Sequence, residues 1–192
     1  MAHQEQLANA AAALKAGQAV VFPTDTVYGI AVLPSACESP ALLYQLKRRP
    51  TEKPVAWLVG GIEDLLLYGR DVPEYAVQLA KRYWPGALTL IVHASEAVPA
   101  AYQSAEHTIG LRMPAGQTAL ELIALVKSPL ATTSANISGK ASAMCEEELD
   151  AQLCREVSYV LAGERCKEGI ASTVVDCTGS EPKVLRQGSL IL

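Results

Sequence analysis

The sequence predicts an α/β fold, a twisted mixed sheet with flanking helices, occupying residues 1–192 as one domain. Two observations carry this expectation. Short β-rich runs alternate with stretches whose apolar residues recur every three or four positions, the rhythm of strands joined by helices. Several β-rich runs also follow one another with no helix between them, so some neighbours must pair antiparallel and the sheet is mixed. Size agrees: 192 residues, 50% of them apolar, with a mean hydropathy of +0.18, suffice for one full core.

The elements follow in order. Leu7, Ala11 and Leu14 share one face of a first helix, and Gly17 is suited to cap its C-terminus. Val20 to Pro23 and Val27 to Leu33 read as strands, and Leu42, Leu43 and Leu46 place a helix after them. Pro54 to Val59 is a short strand. Tyr75, Leu79 and Tyr83, with Ala76 and Ala80 beside them, mark a helix that Pro85-Gly86 stops. Leu88 to Val92 and His107 to Met113 are strands, Leu120, Ile123 and Ala124 a helix, and Pro129 to Thr132 a strand. Glu146, Glu147 and Glu148 are expected to open a helix where carboxylates oppose the positive pole of its dipole, with Leu149 and Leu153 as its apolar stripe. Val157 to Ala162, Ser172 to Cys177 and Val184 to Leu185 close the series as strands.

Charge and composition exclude several classes. Lys+Arg 16 against Asp+Glu 20 leaves a net charge of −4, so wholesale electrostatic capture of nucleic acid or anionic membrane is not expected. No run approaches the ~18 apolar residues of a spanning helix, and the alanine-rich start carries no basic leader, so a soluble, cytoplasmic protein is expected. Five cysteines with no C-x-x-C pair indicate free thiols rather than a disulfide framework or zinc knuckle. His3, His93 and His107 lack metal-ligand spacing and read as structural or surface residues.

Four regions concentrate hydroxyl, amide and cationic groups at strand or helix ends, where α/β sheets bind ligands. Thr24-Asp25-Thr26, between Pro23 and Gly29, suits either a self-satisfied turn or the clasping of a small polar molecule. Lys47, Arg48, Arg49 and Lys53 put four cations within seven residues, more than a helix C-cap needs, which points to an anionic ligand such as a polyphosphate. Ala131 to Ser142 leaves a strand with five hydroxyls, an amide and Gly139, which suits either a loop and N-cap region or contact with phosphate or ribose, yet lacks the spacing of a Walker loop. The fourth region comprises Ile109 to Pro114, Ser172 to Asp176 and Val184 to Gly188; taken singly, its Arg112 and Arg186 read as edge-strand arginines facing water.

Together these segments resemble the YrdC-like family, the threonylcarbamoyl-AMP synthases of tRNA modification, from about Ala19 to Gly188. The marks are Pro23 to Gly29, Lys47-Arg48-Arg49-Pro50, Ser134-Ala135-Asn136 with Gly139 and Ser142, Ser172 to Asp176, and Leu185-Arg186-Gln187-Gly188, in the family's order and spacing. The resemblance implies a large basic concave cavity on the sheet, and condensation of L-threonine, bicarbonate and ATP to threonylcarbamoyl-AMP with release of pyrophosphate. It implies that Thr26, Arg112, Thr132 and Ser172, with the main chain near Leu58, hold threonine. It places Lys47, Arg49, Ser134, Asn136, Ser142 and Arg186 on the nucleotide side, with Thr108 and Lys53 as further candidates and Lys47 and Arg49 as the catalytic cations. Mg2+ is expected with ATP, held by phosphate and water rather than by protein ligands, and the implied partner is a downstream tRNA threonylcarbamoyl-transferase complex, with at most weak binding of tRNA itself.

Two positions depart from the pattern: Ala171 stands where a carboxylate is common, and Lys53 where an amide is common. The chain ends soon after Arg186, which matches the short, single-domain members. Two rival readings are a non-catalytic module for structured RNA, which a pI near 5.4 disfavours, and a carbamoyl-phosphate-dependent carbamoyl-transfer enzyme, whose relatives carry further modules.

Overall fold

The computed structural model describes residues 3–51, 53–163 and 165–192. Helix α1 (His3–Lys15) buries Leu7, Ala10, Ala11 and Leu14 along one stripe. It ends in a paired-hydrogen-bond cap: Gln18 N–H donates to Ala13 O and Gly17 N–H to Leu14 O, both at 3.0 Å. That closure needs a left-handed residue, and Gly17 supplies φ +75°. Strands β1 (Val20–Phe22) and β2 (Gly29–Val32) precede α2 (Ala41–Lys47) and β3 (Ala56–Leu58). A short helix α3 (Glu63–Tyr68) and the two-residue strand β4 (Gly69–Arg70) come next, both unanticipated by the sequence reading. Then follow α4 (Glu74–Tyr83), β5 (Leu88–Ala94), β6 (Thr108–Arg112), α5 (Gln117–Val126), β7 (Leu130–Ser134), α6 (Ala151–Glu156), β8 (Tyr159–Val160), β9 (Thr173–Asp176) and β10 (Lys183–Arg186).

One boundary corrects the expectation. Glu146–Glu148 forms a separate 3-10 turn, and the helix starts only at Ala151, five residues after Glu146. Asp150 caps it, its carboxylate accepting from Gln152 N–H and Leu153 N–H. A capping side chain with two backbone donors outcompetes a diffuse dipole effect from three exposed carboxylates.

Among the described residues the strands form one ten-stranded twisted sheet in the order β10-β9-β5-β6-β3-β7-β2-β1-β8, with β4 paired to β5. It is mixed: β1–β8, β3–β6 and β5–β9 run parallel and the remaining pairs antiparallel. Alternation sends successive residues to opposite faces. Val20 and Phe22 join Leu58 and Leu130 in a core under α1 and α5, while Val21, Ile30, Trp57 and Leu90 join the core under α2, α3, α4 and α6. Being covered on both faces explains why the central strands read as continuous apolar runs. Among the described residues no helix is long and apolar enough to cross a membrane, and all five cysteines are unpaired.

Candidate active site

The face that carries α1 and α5 is not covered along its whole length. Leu58 and Leu130, paired in register, lie under the helices, and two residues further along each strand the same face is bare. There Ala56 pairs with Gly110 and Thr132, Gly110 with Ile91, and Gly29 with Ser134. These residues floor a cavity of about 350 Å3, with Arg49, Arg112, Arg186, Thr26, Thr89 and Ser172 among its walls. Glycine and alanine at its centre create the hollow by leaving out side chains.

One wall is built around Arg112. Although β6 is an interior strand, its guanidinium is only 8% exposed, and each side of it donates to the protein: Nε to Gly86 O (3.0 Å), Nη1 to Thr26 Oγ1 (2.9 Å) and Nη2 to Asp25 Oδ1 (2.7 Å). Burial pulls the Arg112 pKa down, and the Asp25 charge opposes that pull. Thr24 holds the turn that presents this pair, its hydroxyl donating to Val27 O (2.7 Å) and accepting from Thr26 N–H (3.2 Å) and Val27 N–H (3.3 Å). The turn is therefore self-satisfied and also lines the cavity.

A second wall comes from the last strands. Arg186 forks the Ser172 carbonyl with Nε (3.1 Å) and Nη2 (2.8 Å), and the Ser172 and Thr89 hydroxyls are 2.8 Å apart. Gly188 makes this possible: a Cβ there would collide with the main chain of residues 171–173. Partial burial, followed by the like charges of Arg112 and Arg49, holds the Arg186 pKa below its ordinary value.

The third wall begins at the end of α2. Arg48 takes the left-handed conformation (φ 50°), with Arg48 N–H donating to Gln45 O and Arg49 N–H to Tyr44 O. This reversal turns Lys47 and Arg49 inward and leaves Arg48 outside. Arg49 Nη1 donates to Thr133 Oγ1 (2.7 Å) and Nη2 to Pro54 O (2.9 Å), while its Nε is buried with no partner among the described residues. Lys47, 2% exposed, donates to Ser134 O, to Asn136 O (2.7 Å) and to Asn136 Oδ1 (2.9 Å). Burial, then the nearby Arg49 charge, pushes its pKa down to about 8.

The structure thus brings Thr26, Arg49, Leu58, Thr108, Arg112, Thr132, Ser134, Ser172 and Arg186 to one cavity. Lys47 and Asn136 stand one layer behind Ser134, bonded to each other. Ser142 is half-buried on the loop after β7, and Lys53 is exposed, so neither lines the cavity. The edge-strand reading of Arg112 is corrected, since β6 lies inside the sheet; Arg186 is on the edge strand but turns onto Ser172. Sequence reasoning missed Thr89 as a site residue, and gave no individual role to Asp25 and Thr133, which lay within the polar segments it singled out. The signal for Asp25 was its position beside Thr26, but its partner lies 87 residues away.

Comparison with known proteins places this architecture. The family named for Sua5, YciO and YrdC, described as "Telomere recombination", matches residues 12–188. This chain belongs to the Sua5/YciO/YrdC family. A Pyrococcus abyssi relative named threonylcarbamoyl-AMP synthase is 37% identical over 185 residues, covering 95% of this chain and 54% of the relative. The human relative of the same name is 36% identical over 179 residues, covering 90% of this chain and 63% of the relative. The chain thus spans about half to two thirds of the length of these Sua5/YciO/YrdC relatives. The crystal structure of P. abyssi Sua5 complexed with L-threonine superposes with a TM-score of 0.89 at 34% identity, over 98% of this chain and 55% of that one. Escherichia coli YciO shares the fold, with a TM-score of 0.85 at 24% identity over 96% of this chain and 90% of that one.

Proposed function

We propose that this chain is a threonylcarbamoyl-AMP synthase, a cytoplasmic nucleotidyltransferase joining L-threonine, bicarbonate and ATP for threonylcarbamoyladenosine formation in tRNA. The observation that carries the reading is one cavity that gathers three guanidinium groups, Arg112, Arg49 and Arg186, around a floor with glycine and alanine at its centre. The names of the relatives and the L-threonine bound to P. abyssi Sua5 support it.

In this reading the threonine carboxylate lies against Arg112, with hydroxyls of Thr26, Thr132 and Ser172 and the main chain near Leu58 orienting the rest. The unprotonated amine takes up bicarbonate as a carbamate. A carbamate oxygen then bonds to the α-phosphorus of ATP as the bond to the β-phosphate bridge oxygen breaks and pyrophosphate leaves. No protein nucleophile is needed; alignment and charge do the work. Arg49 and Arg186, with Ser134 and Thr108, meet the triphosphate as negative charge moves to the leaving group, and Lys47 fixes Ser134 and Asn136 while adding charge behind them. Magnesium enters as part of Mg·ATP; hydroxyls and guanidinium groups around the cavity suit a metal carried by phosphate oxygens and water. The product is a mixed anhydride, passed to a tRNA threonylcarbamoyl-transferase complex.

The test is pyrophosphate release by the purified protein with Mg·ATP. Release must depend on both threonine and bicarbonate, and Arg49→Ala should lower kcat/KM by about 2–4 kcal/mol of transition-state stabilisation. Release without threonine, or none at all, overturns the reading.

A further inference from the structure

The loop after β7 carries a cation close to the rim of the cavity. The Lys140 main-chain oxygen accepts from Asn136 Nδ2 (2.6 Å). Asn136 Oδ1 in turn accepts from the hydroxyl of Ser134 (2.5 Å), which lines the cavity. Two hydrogen bonds and one carboxamide therefore separate the Lys140 main chain from the cavity, a gap that the flexible four-carbon stem of a lysine spans. The ammonium itself is turned away. Lys140 Nζ donates to Asp150 Oδ2 (2.7 Å), with the lysine side chain 63% exposed and that of Asp150 20%. Asp150 divides its two oxygens: Oδ1 accepts from Gln152 N–H and Leu153 N–H and caps α6, while Oδ2 holds Lys140. The Lys140 bond, followed by that from Leu153 N–H, keeps the Asp150 carboxyl below its usual range. The loop is anchored just before the lysine, where Ser138 N–H donates to Lys47 O (2.9 Å). Between anchor and lysine stands Gly139, at φ +86° and with nothing within 4 Å of the place a Cβ would take, so Lys140 has room to turn about it.

We infer that Lys140 is a further triphosphate-binding residue, latched to Asp150 in this structure and exchanging onto the phosphate oxygens of Mg·ATP, a conclusion that rests on the functional reading above. The electrostatics of the cavity account for the latch. Its cations already oppose one another: after burial, the Arg49 charge depresses the Lys47 pKa, and the charges of Arg112 and Arg49 depress that of Arg186. One more ammonium is better placed on a carboxylate than among them. A triphosphate reverses the preference, because it offers several anionic oxygens against a single Asp150 oxygen and offsets the charge of the guanidinium groups. Leaving Asp150 costs little, since an ion pair this exposed is weak.

Asp150→Asn and Lys140→Met test this by acting in opposite directions. Asparagine caps a helix as well as aspartate does, and its amide nitrogen presents donors where the latch oxygen stood, so Lys140 is freed while α6 keeps its cap. By calorimetry with Mg·ATP alone, Asp150→Asn should tighten binding by about two- to fivefold, the scale of an exposed ion pair. Lys140→Met should weaken it by about fivefold or more, as for a lost charged contact to phosphate, and Lys140→Arg, which keeps the charge, should stay within about twofold of the parent protein. The double variant Asp150→Asn, Lys140→Met should bind like Lys140→Met, because opening the latch matters only with a lysine to release. Threonine affinity should be the same within about twofold throughout, which a general disturbance of the loop and cavity would not allow. Mg·ATP binding that is unchanged or weaker in Asp150→Asn, unchanged in Lys140→Met, or improved by Asp150→Asn equally with and without Lys140 overturns the exchange and leaves the synthase reading intact. A parent protein that binds neither Mg·ATP nor threonine removes both.

Discussion

Arg112 shows how much one buried cation depends on its neighbours. Its guanidinium is 8% exposed and the Asp25 carboxylate 11%, so the pair meets in an interior where an uncompensated charge is costly. Asp25→Ala should therefore cost about 3–5 kcal/mol in equilibrium urea denaturation. Adding Arg112→Met should recover part of that loss, because the orphaned charge goes with it. A double variant as unstable as the sum of the singles would show that packing, not charge, holds this wall. Arg112 and Thr26 were visible in the sequence as polar interruptions of β-runs. Asp25 was visible as part of a polar turn that could clasp a ligand but not as the partner of Arg112, since pairing across 87 positions follows from strand order and not from local pattern. Likewise, the row Lys47, Arg48, Arg49 and Lys53 looks like a single cationic cluster. The left-handed turn at Arg48 divides it, sending Lys47 and Arg49 in and the other two out, and no property of a lysine or arginine announces such a turn.

At the level of elements, long periodic helices and β-rich runs were legible because burial imposes their spacing. What escaped notice was short: α3 and β4 span six and two residues, too few to show a period. The last hairpin, β9 with β10, is the element on which the cavity leans most. Its register shifts between Val184 and Arg186, and Gly188 then lies against residues 171–173 with its N–H donating to Thr173 Oγ1 (2.9 Å). Gly188→Ala should push β10 outward, at a cost of about 1–3 kcal/mol typical of overpacking, and release the Arg186 fork from Ser172. Hydrogen exchange at residues 173–176 and 183–186 should quicken accordingly. Gly179→Ala, where a Cβ would meet only Glu181 O at 3.9 Å, is the matched control and should change neither stability nor exchange. Equal effects from the two substitutions would mean that the contact at Gly188 is not what seats β10.

For the molecule as a whole, the fold class followed from alternation alone, whereas the strand order that joins residues 24–26, 49, 112, 172 and 186 around one cavity did not. Local patterns specify elements; their arrangement is decided by which faces bury one another. Because the cavity floor continues the same sheet face that α1 and α5 cover, ligands there hold together strands from both ends of the chain, and binding must add to global stability by mass action. At about 100 times its dissociation constant a ligand adds about 2.7 kcal/mol, which for a chain of this size raises Tm by about 5–10 °C. Threonine alone and Mg·ATP alone should each produce such a shift. Arg112→Ala should abolish the threonine shift and preserve that of Mg·ATP, and Arg49→Ala should do the reverse, because the two cations stand on different walls of the cavity. Loss of both shifts in either variant would mean that the walls do not bind independently and that the proposed assignment of threonine to Arg112 and of Mg·ATP to Arg49 is wrong.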